Sequence, residues 1–490
     1  MCDDSGMGRH SVRVGHSGVL IAVLAAAGIS VALMQTLMIP LIPDLPMLLH
    51  TSPDNASWAI TVTLLTAAVT TPVFGRLGDM YGPKPMLMIC AATLTAGSLI
   101  AAMTSSLLPF IVGRGLQGFG IPIIPLAISV LRAAIPADRV GSAMGLISSS
   151  LGVGGALGLP LSAIVAQKAD WHTLFWGASV LGIMAMLLFY FLVPDIPATS
   201  ADRFDPLGFV LLTTGLVTLL LPISKGSTWG WTSSTTLALF VVSLVVFAVF
   251  VGWQFWTTSP MVDLRTTLRR PVLTTNVAAI LFAFSMFALS LVAPQILELP
   301  KETGYGLGQS MLQAGLWMAP GGLAMMVASS LAARVAARIG AKFTLVWGAT
   351  IIAAAYLGAL WLLGSPATVM MVNIAISLGV GFGYSSLPAL INAAVPVSET
   401  AAANGINALA RSLGTSICSA VIGVVLATMS ISHAGHAVPS LYGLQVALPI
   451  SAGVAALAAV AALTLPAAVD GAAEEWSPEE LEFEGDPVKG

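Results

Sequence analysis

Long apolar stretches recur along this chain from one end to the other, separated by short polar connections. Each runs to ~20 residues, enough to cross the ~30 Å hydrocarbon layer of a bilayer as an α-helix. The pattern predicts fourteen spans, near residues 18–42, 56–75, 86–105, 107–132, 140–166, 173–193, 206–224, 234–255, 272–296, 311–336, 343–364, 367–391, 401–430 and 441–466. The short alternating segments of a membrane β-barrel are absent from the sequence, whereas helices satisfy their own backbone groups in lipid. The expected fold class is an all-α polytopic membrane protein. An even number of crossings puts both termini on one side.

Basic residues in the short connections select that side. One set of connections, with the N-terminal segment, holds Arg9, Arg13, Arg76, Lys84, Arg132, Arg139, Arg203, Arg265, Arg269, Arg270, Arg334, Arg338 and Lys342; the opposite set holds Lys168, Lys225 and Lys301. The bias predicts that both termini are cytoplasmic, and the expected location is the plasma (inner) membrane. Arg9 and Arg13 precede an apolar run too long for a signal-peptide core, so residues 1–17 read as a cytoplasmic N-terminal segment before a retained first helix.

Composition agrees and removes whole function classes. With 57% hydrophobic residues, 8% charged residues and a mean hydropathy of +0.93, no soluble core wrapped in polar surface is described. The net charge of −3 conceals a split, because residues 1–469 hold 18 basic and 14 acidic side chains and the remaining acids crowd into the end of the chain. Residues 467–490 read as a solvated, disordered acidic tail on the cytoplasmic side. Cys2, Cys90 and Cys418 are packing residues rather than a disulfide framework. No metal-ligand cluster, nucleophile with its base, or phosphate-binding loop occurs in the spans, so neither an enzyme nor an ATP-driven pump is expected. No cofactor, metal or nucleic acid is implied, and the surroundings are membrane lipid.

The sequence repeats itself at an offset of about 258 to 260 residues. Gly82-Pro-Lys84-Pro-Met-Leu87 is echoed by Gly340-Ala-Lys342-Phe-Thr-Leu345, and Pro136, Gly145 and Gly154 recur with unchanged spacing as Pro396, Gly405 and Gly414. Two related six-helix bundles are expected, at 18–193 and 272–466, with two additional helices between them at 206–255. Paired halves around a midplane site suit alternating access.

Several motifs then carry a family resemblance. Gly75-Arg-Leu-Gly-Asp79-Met-Tyr-Gly82-Pro-Lys84 follows the second span, Arg114-Gly-Leu-Gln117-Gly-Phe-Gly lies in the fourth, and Gly154-Gly-Ala-Leu-Gly158-Leu-Pro160 lies in the fifth. With Arg203-Phe-Asp205-Pro-Leu-Gly208, Trp229-Gly-Trp231 and Pro260-Met-Val-Asp263-Leu264 around the central pair, the chain resembles the fourteen-span drug:proton antiporter branch of the major facilitator superfamily. The resemblance covers residues 18–466 and implies the major facilitator fold. It also implies a gating loop made of Gly75, Asp79, Gly82, Lys84 and Arg139, with the helix start near residue 401 as its partner, and an antiporter-type helix containing Gly154, Gly158 and Pro160.

The physical chemistry of these residues can be read beside the resemblance. Asp79 can face the positive N-terminal end of a helix or pair with Arg76 or Arg139, while Arg76 and Lys84 can also act as plain topology determinants. The glycines of the fifth span allow close helix approach and Pro160 allows a kink, so packing and hinge readings coexist.

Arg114 and Arg411 lie at membrane depth with no mid-membrane carboxylate visible to neutralise them. The resemblance assigns Arg114 to proton exchange, with Gln117 and Gln35 as candidate hydrogen-bonding partners. Where the branch carries an aspartate on the first helix, this chain has Met34. Asp44 and Glu298, at the outer ends of their helices, are the candidate replacements, with ordinary solvated carboxylates as the plainer reading. A substrate anion is the other source of counter-charge for the two arginines, and Arg411 can alternatively bind helix carbonyls. Met34, Gln35, Met38, Trp58, Phe119, Met286, Trp317 and Asn407 are candidate cavity residues, because thioethers and aromatic rings suit loosely specified apolar ligands.

The functional expectation is an alternating-access secondary transporter exporting small amphipathic drugs or hydrophobic, lipid-like metabolites in exchange for protons. Two alternatives remain: an exporter or flippase of anionic lipid-like molecules without that coupling, and a membrane sensor built on a transporter scaffold.

Overall fold

A computed structural model of the protein describes residues 17–38, 41, 44–198, 203–433 and 436–465. The acidic tail and nearly all of the N-terminal segment lie outside the described residues. Among the described residues, thirteen helices are long and apolar enough to cross a membrane. The longest, Met311–Leu362, is interrupted at Gly340, whose φ of 84° and ψ of 154° break the helix, so it supplies two spans. The fourteen are α1 (Ser17–Thr36), α2 (Trp58–Tyr81), α3 (Pro83–Ala102), α4 (Leu107–Ala134), α5 (Ala137–Lys168), α6 (His172–Leu192), α7 (Pro206–Trp229), α8 (Ser234–Trp256), α9 (Arg270–Glu298), α10 (311–339), α11 (341–362), α12 (Pro366–Ala394), α13 (Thr400–Thr428) and α14 (Leu441–Leu463).

Local chemistry explains where many of them start. Ser233, Ser310, Ser365 and Ser440 cap α8, α10, α12 and α14, each accepting from a backbone N–H of the first turn. Ser310 and Ser365 complete reciprocal capping boxes with Gln313 and Thr368. Asp205, ahead of Pro206, caps α7 in the same way.

Three details depart from the pattern read above. Helix α1 stops at Thr36 and gives way to turns, so Asp44 precedes a separate short helix, Leu45–Leu48, instead of ending the first span. The connection before α14 contains two short antiparallel strands, β1 (Ser430–His433) and β2 (His436–Pro439). Lys225, assigned above to an open connection, is inside α7 and only 1% exposed. Its ammonium donates to Ser57 and stands 4.7 Å from the ring centre of Trp58, which packs against Trp229.

Buried apolar side chains form two large clusters. One draws on α1 to α8 and takes in Ala401 and Leu409; the other draws on α9 to α14. Helices α7 and α8 add Leu212, Leu216, Leu220 and Phe250 to the first cluster. Their joint is polar: Asp205 accepts from Trp253 Nε1 and Gln254 Nε2, and Gln254 Oε1 accepts from the Val262 N–H.

The sequence repeat has backbone counterparts. Gly82 and Gly340 take nearly the same conformation, φ 90° with ψ 146° and φ 84° with ψ 154°, which only glycine adopts readily. The lysine two residues later reaches past the end of the sixth helix of its own half, Lys84 to Asp195 at 3.2 Å and Lys342 to the Leu465 carbonyl.

Candidate functional site

The two halves meet at the end of the molecule that bears the basic connections. Here the carboxylate of Asp79, at the end of α2, accepts from the first free N–H groups of α13: Oδ1 from Ala401 at 3.2 Å and Oδ2 from Ala402 at 2.8 Å. Asp79 is 2% exposed, so a buried carboxyl group sits on a helix N-terminus, where both the dipole and the unpaired donors favour its ionised form. The helices come together because Gly75 leaves room: a Cβ there would lie 2.6 Å from the Ala401 carbonyl oxygen. Arg132 of α4 adds hydrogen bonds to Thr400 Oγ1 at 2.6 Å and the Val395 carbonyl at 3.2 Å. Beside this junction a cleft is lined by Pro72, Arg76, Asp263, Thr267, Glu399 and Ala402.

The repeated glycines of α5 and α13 fall into two kinds of contact. Gly145 of α5 faces the Ser329 carbonyl of α10, and Gly405 of α13 faces the Thr71 carbonyl of α2; a Cβ at either would lie 2.9 Å from that oxygen. Both contacts cross between halves. Gly154 instead lies against Ile29 of α1, and Gly414 against Ile280 of α9, each within its own half. The fifth helix of each half thus packs on its own first helix and on the second helix of the other half. Gly158 extends the close approach to α1 beside Thr36, and Pro160 lies inside α5.

Arg114 is 4% exposed and ties three helices together. Its Nε donates to the Ala59 carbonyl of α2 at 3.2 Å and its Nη1 to Gln117 Oε1 at 2.6 Å, while Gln117 Nε2 donates to Ser98 Oγ of α3 at 2.9 Å. The second half repeats the tie without the charge. At positions 259 residues further on, Asn373 of α12 donates to the Met318 carbonyl of α10 at 2.7 Å.

Arg411 has different surroundings. It is partly exposed, donates through Nη1 to Asn407 Oδ1 at 2.7 Å, and lies 5.2 Å from the ring centre of Tyr384. Asn407 passes the chain on to Asn276 Oδ1 of α9 at 3.0 Å. Among the described residues no ion pair is recorded for Arg114 or Arg411.

The remaining predicted residues are dispersed. Met34 and Met38 are 5% and 2% exposed and belong to a buried cluster with Leu33, Leu37 and Trp171 at the opposite end from the basic connections. Gln35 is exposed, and no hydrogen bond from it to Arg114 is recorded. Phe119 meets Phe74 edge-on at 5.6 Å. Met286 and Trp317 pack against the second cluster, with Trp317 Nε1 donating to Gln309. Asp44 and Glu298 are exposed at helix ends, as is Arg139 near the start of α5.

Lys225 and Tyr384 were missed in the sequence. Ser224-Lys225-Gly226-Ser227 reads as a loop because of its polar and glycine content, and Tyr384 becomes notable only when tertiary packing brings Arg411 over it.

Two repeated sets of helices that cross-pack through their second and fifth members, with a further helix pair in the chain between them, have the architecture of a membrane transporter. The chain belongs to the Major Facilitator Superfamily, whose sequence profile matches residues 24–419 and again 277–483. Among relatives, an uncharacterized MFS-type transporter, YvkA, of Bacillus subtilis is 27% identical over 83% of this chain and 90% of its own. The tetracenomycin C resistance and export protein of Streptomyces glaucescens is 26% identical over 84% of this chain and 76% of its own. Among solved structures, the human organic anion transporter MFSD10 superposes with a TM-score of 0.65 at 16% identity, covering 91% of this chain and 99% of its own.

Proposed function

We propose that this transporter exports small amphipathic drugs or hydrophobic metabolites across the plasma membrane in exchange for protons, with its basic end in the cytoplasm. The carrying observation is the junction at that end, where Asp79 caps α13 and Gly145 and Gly405 bring the halves together. The seam combines the Asp79 cap on the start of α13 with glycine-mediated helix crossings, and among the described residues the buried side chains of the first apolar cluster reach across it only through Ala401 and Leu409, so the halves can part without unfolding either body. Rocking of the halves then exposes the path first to one side and then to the other. The export direction is supported by the likeness to a resistance and export protein, and the orientation by the clustering of basic residues.

Proton exchange needs a titratable group reached from both sides in turn. In the absence of an acid at Met34, we assign it to the exposed helix-end carboxylates Asp44 or Glu298. The test is uptake of a fluorescent amphiphile into inverted proteoliposomes with and without an imposed proton gradient. Gradient-driven accumulation, lost in Asp44→Asn or Glu298→Gln, is expected. Equal flux under both conditions overturns the coupling, and ligand binding without flux points to a sensor.

A further inference from the structure

Arg114 and Arg411 look equivalent in the sequence, and the structure separates them. Arg114 uses two nitrogens in a helix tie that the other half makes with a neutral asparagine, so it is held by that packing contact, and at 4% exposure it is closed off. Arg411 spends one nitrogen on Asn407 and is partly exposed. At ~1.5 Å per residue it lies roughly 16 Å from the start of α13, near half depth. No bond from it to a main-chain carbonyl is recorded among the described residues.

Hydrogen-bond logic fixes the two amides beside it. A guanidinium only donates, so the Asn407 oxygen must face Arg411 and the Asn407 nitrogen must donate onward to the Asn276 oxygen. The Asn276 nitrogen is therefore left as a donor, and it is buried with no partner; Asn276 itself is 7% exposed. The chain from Arg411 to Asn276 thus ends in donors on both sides. A buried polar array of this kind is completed by an acceptor, and a cation at membrane depth by a negative one. The Tyr384 ring stands 5.2 Å from the guanidinium carbon, and with Nη1 engaged by Asn407 the Nε and Nη2 side of the guanidinium is left for a two-oxygen partner.

We propose that Arg411 binds the anionic oxygens of the substrate head group, a carboxylate or phosphate, and that the preferred cargo is therefore an amphipathic acid. Asn407 and Asn276 are positioning residues that act through Arg411, and the inference rests on the transporter reading above. Full-length protein in neutral detergent is titrated with dansylaminoundecanoate, its primary amide and the matching alkylammonium, and with a dansyl-tagged short-chain phosphatidate.

Wild type is expected to bind the undecanoate at least about tenfold tighter than the amide, the scale of a charge-assisted pair. Arg411→Gln brings that ratio close to one, and Arg411→Lys leaves it in between. Asn276→Asp supplies an internal counter-charge and shifts preference towards the ammonium; it keeps the proposal testable if Arg411→Gln fails to fold. An Arg411-dependent preference for either acid supports the site, and the tighter of the two says whether the head group comes from a soluble amphiphile or a lipid. A ratio unchanged in Arg411→Gln, parallel loss of all ligands in a folded variant, or an acid preference retained in Asn276→Asp overturns it. Arg411-dependent acid binding without flux of any probe keeps the site and removes the exporter; gradient-driven flux of amide and ammonium with no acid preference does the reverse.

Discussion

Asp79 and Arg114 show what a single residue reveals of itself before the fold is known. Asp79 sits at a helix end within a glycine-rich loop motif, and the α13 start named for it from the sequence is the one its carboxylate meets. A charge on a helix N-terminus stabilises by about 1–2 kcal/mol when partly buried. Asp79→Asn should therefore shift the balance towards the state open at the basic end by about tenfold. The reaction rate of a thiol-specific probe with Thr267→Cys, in the cleft beside the junction, checks this in a Cys2→Ser background; an unchanged rate rules out the latch. Arg114 was legible as a buried charge, but its partner was not, because the Ala59 carbonyl is a backbone atom on a helix whose rotation no local pattern reports. The same holds for Tyr384 beneath Arg411.

Among the elements, hydrophobic period and turn chemistry identified nearly everything, since a span needs only length and apolarity to be recognised. The errors fall where these signals are weak. Helix α1 ends early at Thr36, before the prolines at 40 and 43, and α7 continues through Lys225 because Ser57 and Trp58 receive its ammonium. The two bend glycines give a direct test. Gly340→Ala meets no atom within 4 Å and should cost only the backbone strain, about 1–3 kcal/mol. Gly82→Ala adds a Cβ 2.7 Å from the Ile196 carbonyl and should lower the melting temperature in detergent further. Equal losses would show that the Ile196 contact does not matter.

At the level of the whole molecule, the repeated glycines divide the protein into what is rigid and what moves. Gly154→Ala and Gly414→Ala press side chains into helices of the same half, so they should destabilise folding by about 1–3 kcal/mol, seen as a lower melting temperature. Gly145→Ala and Gly405→Ala wedge the halves apart, so they should speed Thr267→Cys labelling with a smaller thermal effect. A common effect of all four on both measurements would contradict the separation. The lysines after Gly82 and Gly340 sharpen the same division. Each links the beginning of a third helix to the residues just past the sixth helix of the same half. With each half tied within itself by such contacts and by the close helix crossings at Gly154 and Gly414, a push from cargo is delivered to the seam between the halves.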